Sequence, residues 1–181
     1  MLLETNICDF CWKAAPFSLS AFDGTEHTLE SLRGPNGLLL AFICNHCPYV
    51  QGIIDRLVTD ANELQNEGVG VAAIMSNDYQ NYSEDSPAKM AQYAKSWGLT
   101  FPYLVDEDQS VAKTYGAVCT PDFFGFDKTL ELQYRGRLDS AGMNDPTGRT
   151  PELLNAMRII AQTGKGPKEQ FSSMGCSIKW R

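Results

Sequence analysis

The stretch Leu38-Leu39-Leu40-Ala41-Phe42-Ile43-Cys44-Asn45-His46-Cys47-Pro48-Tyr49-Val50 decides how this chain is read. Its first six residues are apolar without alternation, which fits a strand buried on both faces in a covered sheet. Pro48 suits the first position of a helix. From Val50, apolar residues recur at Ile53, Ile54, Leu57, Val58, Ala61 and Leu64, a single helical stripe that Gly68 ends. The Cys-x-x-Cys therefore falls where a buried strand meets a helix. A helix N-terminus offers unpaired N–H groups and partial positive charge, which favour a thiolate over a thiol. Two cysteines so placed read as a redox pair: one attacks a disulfide, the other breaks the mixed disulfide.

Outward from this junction, Val69–Met75 is a second buried strand, so the unit is strand–helix–strand with parallel strands. Ser86-Pro87 opens a helix with Met90, Tyr93, Ala94 and Trp97 inward and Gly98 past its end. A short strand over 101–105 and a short helix over 109–115 follow. Asp122–Phe126 and Glu131–Leu138 read as a hairpin around Asp127-Lys128, and Thr150-Pro151 opens a last helix closed by Gly164. Upstream, Phe17–Leu19 is a short strand, and Thr28 caps a short helix through Leu32. This order predicts an α/β fold: a central mixed β-sheet with helices on both faces. Residues 1–16 read as an irregular lead-in and 165–181 as a tail. No repeat or Gly/Ser linker marks a second domain, so one domain is expected over 1–181.

The net charge is -7, and the 15 Lys and Arg residues form no basic run. Nucleic acid and anionic membrane are therefore not expected as partners. The start, Met1-Leu2-Leu3-Glu4-Thr5-Asn6, lacks the basic end and apolar core of a leader, and no apolar stretch reaches membrane-spanning length. The expectation is a cytoplasmic protein. In that reducing setting, six cysteines are expected to be catalytic, metal-binding or buried rather than paired in structural disulfides.

The redox pair, together with Thr120-Pro121 just before a later strand, resembles the thioredoxin fold. The inserted strand and helix at 101–115 and the leader Ala15-Pro16-Phe17-Ser18-Leu19 resemble the branch holding peroxiredoxins and the TlpA/ResA-type thiol reductases. The strings Phe42–Val50, Thr120-Pro121-Asp122-Phe123-Phe124 and Gly175-Cys176-Ser177-Ile178-Lys179-Trp180 resemble its peroxiredoxin-like, AhpC/TSA subgroup. The resemblance implies a cis Thr120–Pro121 bond facing the cysteines. It implies Cys44 as the exposed nucleophile and Cys47 as the more buried resolving thiol, with Asn45 and His46 tuning the thiolate. Thr120 and Pro121 would bind substrate, the Thr120 backbone pairing with it like an added strand. No cofactor and no metal is implied. The expected partners are a disulfide-containing protein or small molecule and an external thiol reductant, and no oligomeric state is indicated.

Two other readings stay open. In peroxiredoxins a Pro-x-x-x-Thr-x-x-Cys motif organises hydroperoxide, and Cys47-Pro48 matches its end. In that register Cys44 stands at the threonine and Leu40 at the proline, with Arg135 or Arg137 available as the motif's partner arginine. That reading implies peroxidase, antioxidant activity. Separately, Cys8-Asp9-Phe10-Cys11 with Cys44 and Cys47 makes a four-cysteine zinc module conceivable, but the gap exceeds the usual ribbon spacing of about 15–20 residues. Cys119 reads as a buried small hydrophobe. A disulfide from Cys8 or Cys11 to Cys176 would require both chain ends to pack together.

Overall fold

The computed structural model describes residues 1–181. In chain order the elements are β1 (Leu2–Glu4), β2 (Ser18–Ala21), β3 (Glu26–Thr28), α1 (Leu29–Leu32), β4 (Leu38–Phe42), α2 (Pro48–Gln51), α3 (Ile54–Asn66) and β5 (Gly70–Met75). Then come α4 (Pro87–Trp97), β6 (Tyr103–Val105), α5 (Ser110–Tyr115), β7 (Cys119–Thr120), β8 (Asp122–Phe126), β9 (Leu132–Gly136), α6 (Glu152–Thr163) and β10 (Met174–Ser177).

Seven strands form a mixed sheet in the order β3-β2-β6-β5-β4-β8-β9. The expected parallel unit is its centre: β4 pairs parallel with β5, and β5 with β6, while β8 and β2 join antiparallel. Alternate residues of β4 feed two cores. Leu39 and Ala41 face a cluster built with α3, α4 and α6, whereas Leu38, Leu40 and Phe42 face one built with α1, α5 and the lead-in. That two-sided burial is why the strand carries no polar alternation. The α/β expectation, with helices on both faces, is met.

The structure departs from the sequence expectation at two places that matter for the site. The single helix expected after Cys47 is broken at Gly52-Ile53 into α2 and α3. The Ile53 N–H bonds to the Val50 carbonyl, a tightened i−3 turn, and Arg56 donates to the Gly52 carbonyl at 3.2 Å. The second departure is at the ends of the chain. Part of the lead-in and part of the tail are strands, and they join β7 in a second, three-stranded sheet ordered β1-β10-β7. Leu2 lies opposite Cys176, and Cys176 lies opposite Thr120. The tail is held beyond β10 as well: the Ile178 N–H bonds the Val118 carbonyl, and the Lys179 N–H bonds Asn77 Oδ1.

Candidate active site

β4 delivers Cys44 directly, and the start of α2 delivers Cys47, which is the N-cap residue with Pro48 in the first turn. The Thr120–Pro121 peptide bond is cis, as the resemblance implies, and Thr120 stands against both sulfurs. Cys44 Sγ is 3.3 Å from Thr120 Oγ1, and Cys47 Sγ is 3.2 Å from the Thr120 carbonyl oxygen. All six cysteines are free thiols. The sequence-predicted pair and the Thr120-Pro121 step are thus brought together.

The expected exposure of Cys44 is not observed. Cys44 is 1% exposed and Cys47 is 0% exposed. β10 lies antiparallel on β7 along the backbone edge where a visiting peptide was expected to pair. The half-buried Cys176 packs against the core cluster holding both cysteines.

Charge is distributed unequally between the two sulfurs. The Cys47 thiol is pulled down to about 4, chiefly because the Cys44 thiol donates to it; the thiol and backbone N–H of Cys176 and the Thr120 hydroxyl donate as well, against the opposing cost of burial. The Thr120 carbonyl, 3.2 Å from Cys47 Sγ, opposes ionisation of Cys47. Cys44 is pushed well above the ordinary thiol range by its bond to Cys47, by burial and by the Asp85 charge. Both shifts favour a thiolate on Cys47 and the proton on Cys44.

Asp85 had no signal in the sequence; it sits in a short 3₁₀ turn that looks like any acidic helix start. It is fully buried, accepts the Asn45 N–H at 2.8 Å and Asn77 Nδ2 at 2.8 Å, and lies 2.7 Å from His46 Nδ1. Burial works to raise its pKa, but the close His46 ring and the bonds from Asn77 and the Asn45 N–H outweigh it and hold the carboxyl below its usual range. Asp85 in turn raises the His46 pKa through this 2.7 Å contact. The imidazole also stacks on Tyr82, with centroids 6.0 Å apart. Cys44, His46 and Asp85 bring their polar atoms within 4.8 Å of one another.

Asn45 has a different place from the tuning role expected of it. Its side chain donates to the Glu84 carbonyl and accepts from Tyr103 Oη, and its carbonyl accepts from Gln51. It fixes the loop between the two cysteines and makes no hydrogen bond to either sulfur.

The other candidates resolve clearly. Arg135 is buried on Asp122 at 2.9 Å, donates to the Gly116 carbonyl and lies over the Phe124 ring; Arg137 pairs with Glu152. Neither side chain bonds to Cys44 or Cys47. Cys119 is fully buried, and burial pushes its thiol up to about 12, in keeping with a small core residue. Cys11 lies against Gln133 of β9 and is not grouped with Cys44 and Cys47 as a four-cysteine zinc site requires. The chain ends do pack together, but through Leu2 rather than Cys8 or Cys11. On the far side of Pro121, a cleft of about 670 Å³ opens between Tyr49, Ile53, Leu138, Met143 and Met174.

The overall architecture recurs in solved structures. An uncharacterized conserved protein from Geobacillus kaustophilus superposes with a TM-score of 0.94 at 41% identity, covering 100% of this chain and 97% of that one. Peroxidoxin BcpB from Mycobacterium tuberculosis shares the fold, with a TM-score of 0.65 at 18% identity over 86% of this chain and 98% of that one. By sequence, the chain is similar to thiol-disulfide oxidoreductase ResA of Geobacillus thermodenitrificans (strain NG80-2): 32% identical over 124 residues. That match covers 66% of this chain and 64% of ResA, so the chain spans a little under two thirds of that relative. The fold is thioredoxin-like. The AhpC/TSA family pattern matches residues 12–135, a segment that contains β4, both site cysteines, Asp85, Thr120 and Pro121, and the chain belongs to that family.

Proposed function

We propose that the chain is a thiol–disulfide oxidoreductase in which Cys47, not Cys44, is the attacking sulfur. The observation that carries this is the placement of the pair: Cys47 stands at the start of α2 with its thiol pulled down, while Cys44 is buried and pushed up by its bond to Cys47, by burial and by the Asp85 charge. A sulfur that is already ionised needs no base to attack a disulfide. The Cys47 thiolate forms a mixed disulfide with one substrate sulfur and expels the other. Cys44 then loses its proton to the departing sulfur, attacks Cys47 and releases the second substrate thiol, leaving a Cys44–Cys47 disulfide for an external thiol to reduce. Sulfur supplies the chemistry, so no cofactor or metal takes part. The substrate is a disulfide-bearing protein or small molecule, its backbone pairing at Thr120 and its flank lying in the cleft beside Pro121. A reducing compartment such as the cytoplasm suits this cycle.

With β10 docked, neither sulfur is open, so substrate enters as β10 lifts from β7. Insulin reduction driven by dithiothreitol tests the proposal. Cys47→Ser is expected to lose the catalysed rate entirely; a Cys47→Ser rate equal to wild type would reject it.

The peroxidase reading keeps one supporting observation, the ionised Cys47 followed by Pro48. It requires a fast peroxide step that converts Cys47 to a sulfenic acid. Arg135 is committed to Asp122 and Cys44 stands where the motif threonine would, so stopped-flow mixing with hydrogen peroxide is expected to show no fast step.

A further inference from the structure

Building on that proposed function, we propose that Cys176 is a third redox sulfur, which takes the disulfide over from the buried pair and presents it to the external reductant. Three observations place it there. Antiparallel pairing sets Cys176 opposite Thr120, whose carbonyl and hydroxyl touch Cys47 and Cys44. Cys176 packs on the cluster containing both cysteines and helps pull the Cys47 thiol down. It is also the one sulfur of the three that is only half-buried. The polar anchoring of Ile178 and Lys179 makes this placement a built feature of the closed molecule rather than a passing contact of a loose end.

The exchange balances within the protein. Starting from the Cys44–Cys47 disulfide, Cys176 loses its proton and its sulfur attacks Cys47 Sγ. The Cys47–Cys176 bond forms, the Cys44–Cys47 bond breaks, and Cys44 leaves and takes the proton. No electron enters or leaves. An external thiolate then attacks the accessible Cys176 sulfur and expels Cys47, the sulfur best held as an anion and so the better leaving group. A second external thiol frees Cys176, completing a two-electron reduction with the reductant converted to its own disulfide.

The charge on Cys47 also opposes this step in the reduced protein. The Cys176 thiol is raised to about 11, first by burial and then by its bond to Cys47 and the charge there. Once Cys47 is tied in a disulfide its charge is gone, and Cys176 ionises more readily only when there is a disulfide for it to attack.

The experiment treats the reduced full-length wild-type protein with one equivalent of oxidised glutathione, quenches in acid, blocks free thiols with N-ethylmaleimide and maps the linked peptides by mass spectrometry. The expected result is a Cys47–Cys176 linkage alongside Cys44–Cys47. In rapid mixing with dithiothreitol, oxidised Cys176→Ser is expected to be re-reduced roughly tenfold more slowly than wild type, because attack is then confined to buried sulfurs. A map with Cys44–Cys47 formed but Cys176 alkylated in every molecule overturns the third-sulfur assignment and leaves the two-cysteine function standing. A map with no disulfide at Cys47 at all overturns both.

Discussion

At the scale of single residues, the account rests on which sulfur carries the charge. With Cys47 lowered to about 4, its thiolate is fully formed at neutral pH. Its alkylation by iodoacetamide is therefore expected to be flat between about pH 6 and 8, whereas an ordinary thiol gains roughly tenfold per unit below its pKa. A tenfold rise per unit at Cys47, read by peptide mass spectrometry, would contradict the assignment. Asp85 gives a second prediction. Asp85→Asn leaves His46 without its carboxylate and is expected to cost about 1–3 kcal/mol in urea denaturation. The Asp85 pKa is depressed, so its contribution is present above 3.8 and lost as pH falls through the lowered value; the His46 pKa is raised, so its contribution is complete below 6.5 and lost as pH rises through the raised value. The variant's deficit should be largest between those limits and shrink as pH rises through the raised His46 value. The pair itself was legible because a Cys-x-x-Cys at a strand–helix junction is a local pattern. The roles of its members were not, because the donors that favour Cys47 include Cys176 from the far end of the chain, and because the charge that disfavours Cys44 comes from a carboxylate with no motif around it.

At the scale of elements, β10 is the part that governs access. Gly175 passes so close to β7 that a Cβ there would lie 2.0 Å from the Thr120 carbonyl oxygen and 3.0 Å from the Pro121 nitrogen. Both are backbone atoms and neither can swing aside. Gly175→Ala is therefore expected to push β10 off β7, raising the alkylation rate of Cys47 at least about tenfold while the central sheet stays folded by circular dichroism. An unchanged rate in the folded variant would mean that β10 is not what covers the pair. The long elements were readable from the chain because their periodicity runs over many residues: α3 buries Ile54, Leu57, Ala61 and Leu64 of its expected stripe and α4 buries Met90 and Ala94, with Val58, Tyr93 and Trp97 half-buried. β1, β7 and β10 are 3, 2 and 4 residues long, too short for alternation to register, and their pairing joins the two ends of the sequence. The break at Gly52-Ile53 depends likewise on Arg56, which bridges the Gly52 carbonyl and Asp139.

At the scale of the molecule, the seven-stranded sheet holds Cys44, Cys47 and Pro121 in a fixed relation, and the small terminal sheet closes over them. A loop also braces the cleft beside Pro121: Arg149 pairs with Asp60 of α3 at 2.5 Å and with Asp139 at 3.2 Å, while Arg56 holds Asp139 from the other side. That organisation leaves both site cysteines buried, Cys44 at 1% and Cys47 at 0% exposure. The most direct measurement of its central claim uses the Cys44→Ser, Cys176→Ser double variant, which lacks both sulfurs able to release a bound substrate. On mixing with a disulfide-bonded peptide, a stable mixed disulfide is expected on Cys47, identified by mass spectrometry. A covalent adduct on any other cysteine, or none at all in the folded variant, would contradict the account.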